Sequence, residues 1–433
     1  MGTHLVTGGA GFIGSHLVAA LVERGDQVRV LDNLSTGHRQ NVAAFGNKIE
    51  YVEGDLVDRA AVQRAVKDVE VVFHQAALAS VPRSVDTPLD TNASCVTGTV
   101  TLLDVARQSG VRRVVYGGSS SAYGDQPTPA KHEALLPQPV SPYAAAKLAG
   151  EYYCQAFTAT YGLETVTIRY FNVFGPRQDP KSQYAAEIPK FITEMLAGQR
   201  PTIFGDGGQS RDFTYIDNII HGNLLAADAP DAVGKTINVA CGEQYSLLDL
   251  VTAINRALGT AVEPVFEPPR AGDVRDSLAD ITLARKLLKY EPIVSFDEGL
   301  RRTVDYYRSV AGKKKLPLWP RPARLSPWPP TTKLKIRPGR VTRFCESYRT
   351  RMSWWLTIIR QMEPAAGVTS AQLWSRDYVV FIARESGDWG LPHLPLCGSR
   401  SKMTTRCLPR LMPTGATIHA TFPNCCSRRS ALM

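Results

Sequence analysis

A tyrosine, a lysine and a serine have the spacing and local context needed to move a proton. Tyr143 and Lys147 stand four residues apart in SPYAAAKLAGEYY, and Ser141-Pro142 is a typical helix start, so the pair is predicted to share one helix face. A phenol with a pKa of about 10 is a poor base at neutral pH, but a neighbouring ammonium group favours the phenolate. Ser119 follows the apolar run RRVVYGG, at the predicted end of a strand. We therefore predict that Ser119, Tyr143 and Lys147 are catalytic; the alternative is a capping serine and a solvated helix face.

A glycine-rich turn near the start of the chain predicts a dinucleotide site. Gly8, Gly11 and Gly14 are spaced three apart between the apolar run HLVT and a helix that should begin near Phe12. Glycines let the backbone approach a pyrophosphate, which the helix N-terminal amides stabilise. Asp32 stands 18 positions beyond Gly14, where it could bind a ribose and repel a 2′-phosphate. The pattern favours NAD over NADP; the alternative is a plain glycine turn and a strand-end aspartate.

Both sets of residues require a sheet that brings strand ends together. Short β-branched runs alternate with helical patterns over the first 310 residues, which is typical of a doubly wound parallel Rossmann sheet, the α/β class. The residues just past the runs should share one crevice. They are Gly8, Asp32, Asp55, Gln75, Ser119 and Asn172. We predict a nucleotide-binding domain at 1–175, to which 213–240 returns, and a smaller substrate lobe at 176–310.

The chain joins two segments of different composition. Its 433 residues carry a net charge of +10, but residues 311–433 alone contain 21 Lys and Arg against 5 Asp and Glu. All six tryptophans and five of the eight cysteines also lie after residue 310. We predict that this basic, Pro-rich tail is a non-native, unstructured extension; the alternative is non-specific binding to nucleic acid or an anionic membrane surface. Its runs VVFIA and MSWWLTII are aggregation liabilities.

The same composition excludes several protein classes. No run reaches the roughly 18 apolar residues that a membrane-spanning helix needs, and no secretory signal opens the chain. Cys95, Cys154 and Cys241 are scattered singly, without the spacing of a zinc site or a disulfide framework. We therefore expect a soluble, cytoplasmic protein with no metal site.

Seven motifs over residues 1–308 together resemble the extended short-chain dehydrogenase/reductase family. They are TGGAGFIGSHL, VLDNLSTG, SSSAYGD, SPYAAAK, RYFNVFGPRQDP, SRDFTYIDN and RAGDVRDSLADI. Within the family the chain is most similar to UDP-sugar 4-epimerases, especially those that act on UDP-N-acetylglucosamine. The resemblance implies that Tyr143 takes the proton of a sugar 4-hydroxyl while hydride passes from carbon 4 to a bound, regenerated NAD. It also implies a homodimer joined through helices near 96–109 and 143–161.

The resemblance extends to individual binding residues. Besides the glycines and Asp32, the residues expected at NAD are Phe12, Ile13, Asn33, Asp55, Leu56, Gln75 and Lys147. The residues expected at the UDP-sugar are Ser120, Asn172, Phe204, Arg211, Arg270 and Ser277. The asparagine and the two arginines would hold the diphosphate, and Phe204 would lie near the uracil. Ser277 stands where family members restricted to non-acetylated hexoses have tyrosine, so it should leave room for an N-acetyl group.

Two positions bear on the reaction type. Ser120 and Ser121 stand where similar dehydratases and decarboxylases carry a carboxylic acid, so epimerisation is favoured over elimination. Cys95 replaces the asparagine that is usual in the family, which puts the detail of the cofactor pocket in question. The alternatives are another sugar-nucleotide enzyme of the family, such as a uronate epimerase or a dehydratase, and a non-catalytic dinucleotide-binding regulator.

Overall fold

The computed structural model of the chain describes residues 2–180, 187–269 and 275–313, and two further strands at 371–374 and 379–382. The chain divides into two compact units, Met1–Arg324 and Leu325–Met433. Two subjects of the predictions above lie outside the described residues, namely Arg270 and most of the basic tail.

Seven strands of the first unit form one parallel sheet. They are β1 (Thr3–Thr7), β2 (Gln27–Asp32), β3 (Ile49–Glu53), β4 (Val71–His74), β5 (Arg113–Ser119), β6 (Glu164–Tyr170) and β11 (Thr236–Val239). Their order is β11-β6-β5-β4-β1-β2-β3, and every pair is parallel. The order reverses beside β1, as in doubly wound sheets, so the predicted fold class is confirmed.

The sheet is buried on both faces, which explains its continuous apolar runs. Leu5 and Val6 are consecutive in β1 and both fully buried, yet they belong to different core clusters on opposite faces. The helices of this unit are α1 (Phe12–Arg24), α2 (Arg59–Val66), α3 (Val81–Asp86), α4 (Pro88–Asn92), α5 (Gly98–Gln108), α6 (Pro142–Tyr161), α7 (Glu187–Leu196), α8 (Ile216–Asp228), α9 (Leu247–Leu258), α10 (Thr282–Leu288) and α11 (Phe296–Lys313). Of these, α1, α2, α6 and α8 pack on strands of the sheet. A π-helical turn, Ala93–Thr97, joins α4 to α5.

The described part of the first unit also contains seven short strands outside this sheet. They are β7 (Val173–Phe174), β8 (Thr202–Phe204), β9 (Ser210–Arg211), β10 (Thr214–Tyr215), β12 (Tyr245–Ser246), β13 (Val265–Glu267) and β14 (Asp276–Ser277). β9 pairs with both β12 and β14, β8 pairs with β13, and β7 pairs with β10. After β10, the chain returns through α8 and β11 to the first sheet, where β11 pairs with β6. The domain limits given above remain a prediction.

In the second unit the described residues form a hairpin. β15 (Ala371–Trp374) pairs antiparallel with β16 (Val379–Ile382), which covers most of the VVFIA run. Among the residues that the structure describes in either unit, no helix is long and apolar enough to cross a membrane.

Candidate active site

The glycine turn between β1 and α1 has the geometry expected of a phosphate-binding turn. Gly8 has a φ of +67°, and a Cβ there would lie 2.7 Å from the backbone N of Ala76. A Cβ at Gly14 would lie 2.1 Å from the Gly8 carbonyl oxygen, so only glycine fits. The helix α1 begins after Gly11, which has no side chain to cap it, and its first turn contains no acidic residue. Its N-terminal amides therefore remain available to an anion.

An acidic group stands at the carboxyl end of the neighbouring strand. Asp32 is 7% exposed and accepts backbone hydrogen bonds from Ala10 (2.9 Å) and Leu34 (2.8 Å). Burial raises the pKa of this carboxyl, while the two hydrogen bonds oppose the rise. Beyond it the Asn33 side chain donates to Asp55 at 2.6 Å. These contacts place acceptor oxygens, suited to ribose hydroxyls, at the carboxyl ends of two adjacent strands.

A cavity of about 800 Å³ connects these groups. It is lined by predicted cofactor residues: Gly8, Gly11, Phe12, Ile13, Gly14, Asp32, Asn33, Asp55, Leu56 and Gln75. Its volume is in the range of small-molecule sites. Its anion-binding turn fits the pyrophosphate of a dinucleotide, and its acidic end fits a ribose. The sequence prediction missed the wall that follows β4, which includes Ser80 and Arg83. This stretch directly follows a predicted strand, and that position in the sequence could have identified it as part of the cavity wall.

The helix that carries the predicted base is held at its first turn. Ser141 caps α6, its hydroxyl accepting from the backbone N of Ala144 at 3.1 Å, as the Ser-Pro start predicts. The backbone N of Tyr143 donates to the hydroxyl of Ser84 at 3.0 Å. Ser84 lies in α3, whose N-cap Ser80 lines the cavity. The hydrogen bond to α3 thus connects the start of α6 to the cavity wall. The sequence prediction missed this contact.

Ser119 and Tyr143 lie beside each other, and hydrogen bonding to Ser119 favours the ionised form of Tyr143. Ser119 ends β5, and its Oγ also accepts a hydrogen bond from the hydroxyl of Ser121 at 2.8 Å. Burial raises the pKa of Tyr143, and nearby Cys95 raises it further, whereas the bond to Ser119 lowers it. Without a cation beside it, Tyr143 therefore stays a neutral phenol.

Lys147 lies one helical turn beyond Tyr143 and is 4% exposed. Its Nζ is 4.4 Å from the centroid of the Tyr116 ring, and the Tyr116 hydroxyl donates to the Lys147 carbonyl at 3.3 Å. Gly150 permits this approach, since a Cβ there would be 2.3 Å from the Tyr116 hydroxyl. Burial lowers the pKa of Lys147, while Cys95 and Glu151 oppose the shift. Alone among the predicted cofactor residues, Lys147 is not on the wall of the described cavity.

Three predicted substrate residues lie on neighbouring segments. The Asn172 side chain donates to Ser277 Oγ at 3.3 Å and to the carbonyl of Asp212 at 3.2 Å. Asn172 has a φ of +33°, a conformation that a non-glycine residue rarely adopts. Ser277 in β14 is the register partner of Arg211 in β9. The structure therefore brings the Asn172 amide and the Ser277 hydroxyl together, whereas the Arg211 guanidinium donates to the backbone carbonyls of Ser210 (2.9 Å) and Arg275 (3.0 Å).

The remaining predicted substrate residues lie apart from this trio. Phe204 ends β8, and the Lys190 Nζ is 5.9 Å from its ring centroid. Ser120 begins the 3-10 turn directly after Ser119. Arg270 lies outside the described residues.

Most of the first unit is similar to known proteins of one family. A model of the NAD dependent epimerase/dehydratase family matches residues 4–240. UDP-glucose 4-epimerase of Mycolicibacterium smegmatis is 42% identical over 309 residues, which are 70% of this chain and 98% of that protein. The solved structure of UDP-N-acetylglucosamine 4-epimerase from Methanobrevibacter ruminantium, in complex with UDP-N-acetylmuramic acid, is 40% identical with a TM-score of 0.69. That match covers 71% of this chain and 99% of the other. UDP-glucose 4-epimerase from Thermus thermophilus, in complex with NAD, is 37% identical with a TM-score of 0.65, and the match covers 71% and 99% of the two chains.

Proposed function

Since the chain belongs to the NAD dependent epimerase/dehydratase family, we propose that it catalyses the 4-epimerisation of a UDP-hexose by transient oxidation at carbon 4. The observation that carries this proposal is the placement of Tyr143 beside Ser119, with Lys147 one turn further along the same helix. The similar proteins named above, two UDP-glucose 4-epimerases and a UDP-N-acetylglucosamine 4-epimerase, support it.

The residues of the cavity fit NAD. The amides that follow the Gly8–Gly14 turn would hold the pyrophosphate, and Asp32 would accept hydrogen bonds from the adenosine ribose. Its carboxylate would repel a 2′-phosphate, which favours NAD over NADP. When bound, NAD supplies a reversible hydride acceptor for carbon 4.

The proton passes through Tyr143. Ser119 would hold the 4-hydroxyl group while the Tyr143 phenolate accepts its proton. Lowering a phenol pKa from about 10 to about 7 needs roughly 4 kcal/mol, and burial adds to that cost. A unit positive charge about 4–6 Å away supplies roughly 3–4 kcal/mol at an effective dielectric constant of about 20. The Lys147 ammonium group is the cation that the helix places one turn away.

The substrate is a UDP-hexose, either UDP-N-acetylglucosamine or its galacto epimer, or UDP-glucose or UDP-galactose. Arg211 and Asn172 would bind the diphosphate, with Arg270 as a third group, because a guanidinium fork matches phosphate oxygens. The small Ser277 side chain would leave space for an N-acetyl group. No carboxylate directly follows Ser119, since Ser120 and Ser121 occupy these positions, and this supports epimerisation rather than elimination.

The proposal is tested by incubating the purified protein with UDP-glucose, UDP-N-acetylglucosamine and their uronates, and analysing the products by NMR. We expect each accepted hexose to interconvert with its galacto or gluco epimer. A 4-keto-6-deoxy product would instead identify a dehydratase. A protein that holds NAD yet converts none of the sugars would be a silent dinucleotide-binding regulator.

We also propose a homodimer joined through α5 and α6. These helices pack side by side, and Tyr152, Tyr153 and Tyr161 expose 51, 41 and 54% of their surface on α6. Such large exposed side chains favour an interface. Sedimentation velocity should give twice the monomer mass, and a monomer would contradict the proposal.

A cytoplasmic location and a role in supplying sugars for polysaccharide synthesis are part of the same proposal. An NAD-dependent enzyme for nucleotide sugars works where both are made, and the three cysteines of the described residues are free thiols. We propose no role for nucleic acid in the reaction; non-specific binding by the basic tail remains an expectation from composition. Fractionation of the source cells would test the location.

A further inference from the structure

Glu151 is a buried carboxylate that no step of the proposed reaction uses. It is 1% exposed and lies on α6, one helical turn beyond Lys147 and two turns beyond Tyr143. The three side chains therefore share one helix face. A charged group in such a place is stable only when it is paired and hydrogen-bonded.

Arg169, in β6, is the partner of this carboxylate. Its Nε lies 3.1 Å from both Glu151 oxygens, and its Nη2 lies 2.7 Å from one of them. The guanidinium group is also 4.5 Å from the centroid of the Tyr123 ring. Tyr123 ends the turn that begins directly after Ser119. The ion pair thus lies between the catalytic helix and the loop after the catalytic strand.

Glu151 contacts β5 at the catalytic serine. The backbone N–H of Ser119 lies near its carboxylate and helps to lower the pKa of that group. A Cβ at Gly118 would be 2.9 Å from Glu151 Oε1, so the preceding strand residue leaves room for this contact by lacking a side chain. The carboxylate therefore packs against the backbone that carries Ser119.

Glu151 also faces the catalytic lysine. Burial lowers the pKa of Lys147, and the negative charge of Glu151 opposes this shift. In return, the positive charges of Arg169 and Lys147 oppose the rise that burial causes in the Glu151 pKa.

We propose that Glu151 is a positioning residue, which packs against the end of β5 that carries Ser119 and supplies the counter-charge that keeps Lys147 an ammonium group. This inference rests on the proposed function, because the groups it positions are those assigned there to proton transfer. Without the carboxylate, burial drives Lys147 toward the neutral amine. Tyr143 must then ionise with no cation beside it.

Other titratable groups surround this pair on every element packed against it. They are Tyr143 and Cys154 on α6, Cys95 in the π-helical turn, His74 on β4, Tyr116 on β5, Tyr123 after β5, and Glu133 near Arg169. Burial raises the pKa of Cys154 to about 12 and lowers that of His74 to about 3, so both are neutral near pH 7. Three groups act on Lys147 through their charge, Cys95, Glu151 and Cys154, and Glu151 is the carboxylate among them.

The test is a tyrosinate titration of the purified protein with its bound NAD. The Tyr143 signal is the absorbance difference between each protein and its Tyr143→Phe derivative. In Glu151→Gln, we expect the midpoint to rise by at least about one pH unit and kcat at neutral pH to fall at least about ten-fold. Glu151→Asp, which keeps the charge, should restore most of the shift. An unchanged or lowered midpoint in Glu151→Gln would overturn the proposal.

Glu164→Gln is the matched control, because it breaks an Arg–Glu pair at the opposite end of the same two strands. Arg113 and Glu164 are 2.8 Å apart, at the start of β5 and β6. This variant should keep the parent midpoint and a kcat within about two-fold. If Glu151→Gln does not fold, the apolar double variant Glu151→Leu/Arg169→Met replaces it, since it leaves no buried charge unpaired. A parent-like midpoint there would equally overturn the proposal. If the parent converts no UDP-sugar, the proposed function fails, but the titration still decides whether Glu151 controls Tyr143.

Discussion

Substitution of Ser277 by tyrosine should separate substrates with and without an N-acetyl group at carbon 2. Ser277 is half-buried in β14, and its Oγ accepts the hydrogen bond from Asn172 at 3.3 Å. A tyrosine side chain would fill the space proposed for the N-acetyl group. Overpacking of this kind costs about 1–3 kcal/mol, and losing the Asn172 bond costs about 1 kcal/mol more.

These two costs act differently on the two substrates. The lost hydrogen bond affects both UDP-N-acetylglucosamine and UDP-galactose, whereas the overpacking affects only the acetylated sugar. At about 1.4 kcal/mol per decade, the overpacking cost alone lowers kcat/KM for the acetylated sugar by a factor of roughly 5 to 150. We therefore expect kcat/KM for UDP-N-acetylglucosamine to fall at least about five-fold relative to that for UDP-galactose in Ser277→Tyr.

The assay measures kcat/KM for both substrates in the parent, in Ser277→Tyr and in Ser277→Ala. The alanine variant removes the hydroxyl without filling the space, so both values should fall by a similar factor of about five. Equal losses on the two substrates in Ser277→Tyr, or no loss on either, would refute the idea that residue 277 limits the size of the 2-substituent.

Three further predictions concern the base, a buried histidine and the tail. Tyr143→Phe should keep its bound NAD but lose at least about 100-fold in kcat, because the ring still packs while the proton acceptor is gone; turnover within a few-fold of the parent would exclude Tyr143 as the base. Burial lowers the pKa of His74 to about 3, so the unfolded chain binds a proton that the folded chain does not. His74 should therefore lower the free energy of unfolding below pH 6.5, with a contribution of about 2 kcal/mol at pH 5. Urea titrations at several pH values should show that His74→Gln lacks this contribution. Burial raises the pKa of Asp212 to about 7, so this group contributes the opposite slope, equally in the parent and in the variant. The same pH dependence of the free energy of unfolding in both proteins would contradict the assignment to His74. Ending the chain after Lys313 should leave activity and melting temperature nearly unchanged, because the sheet, the cavity and α11 are complete by then. A shortened protein that does not fold would show that the tail contributes to the core.

Local signals in the sequence predicted the framework correctly. The Ser-Pro pair at 141–142 marked the start of α6, and the strand, glycine turn and helix from His4 onward occur where the pattern placed them. These features depend on residues within one or two turns of chain, so their signal is local. The predicted family, its NAD cofactor and its UDP-sugar 4-epimerase activity agree with the comparisons.

Contacts between distant segments could not be predicted in this way. Tyr143 N is fixed by Ser84, and Asn172 by Ser277, across separations of 59 and 105 residues. Glu151 could have been noticed, because it lies four residues beyond Lys147. Its burial and its ion pair depend on Arg169 in a different element, and nothing in the sequence near either residue specifies that pairing.

Transient oxidation at carbon 4 is tested most directly by a label at that carbon. The purified protein would be incubated in ordinary water with UDP-N-acetylglucosamine that carries deuterium at carbon 4, and the product would be analysed by NMR and mass spectrometry. If hydride passes to a bound cofactor and returns to the other face, the galacto epimer keeps the deuterium at carbon 4. Loss of the label to solvent, or its appearance at another carbon, would contradict reversible oxidation at carbon 4.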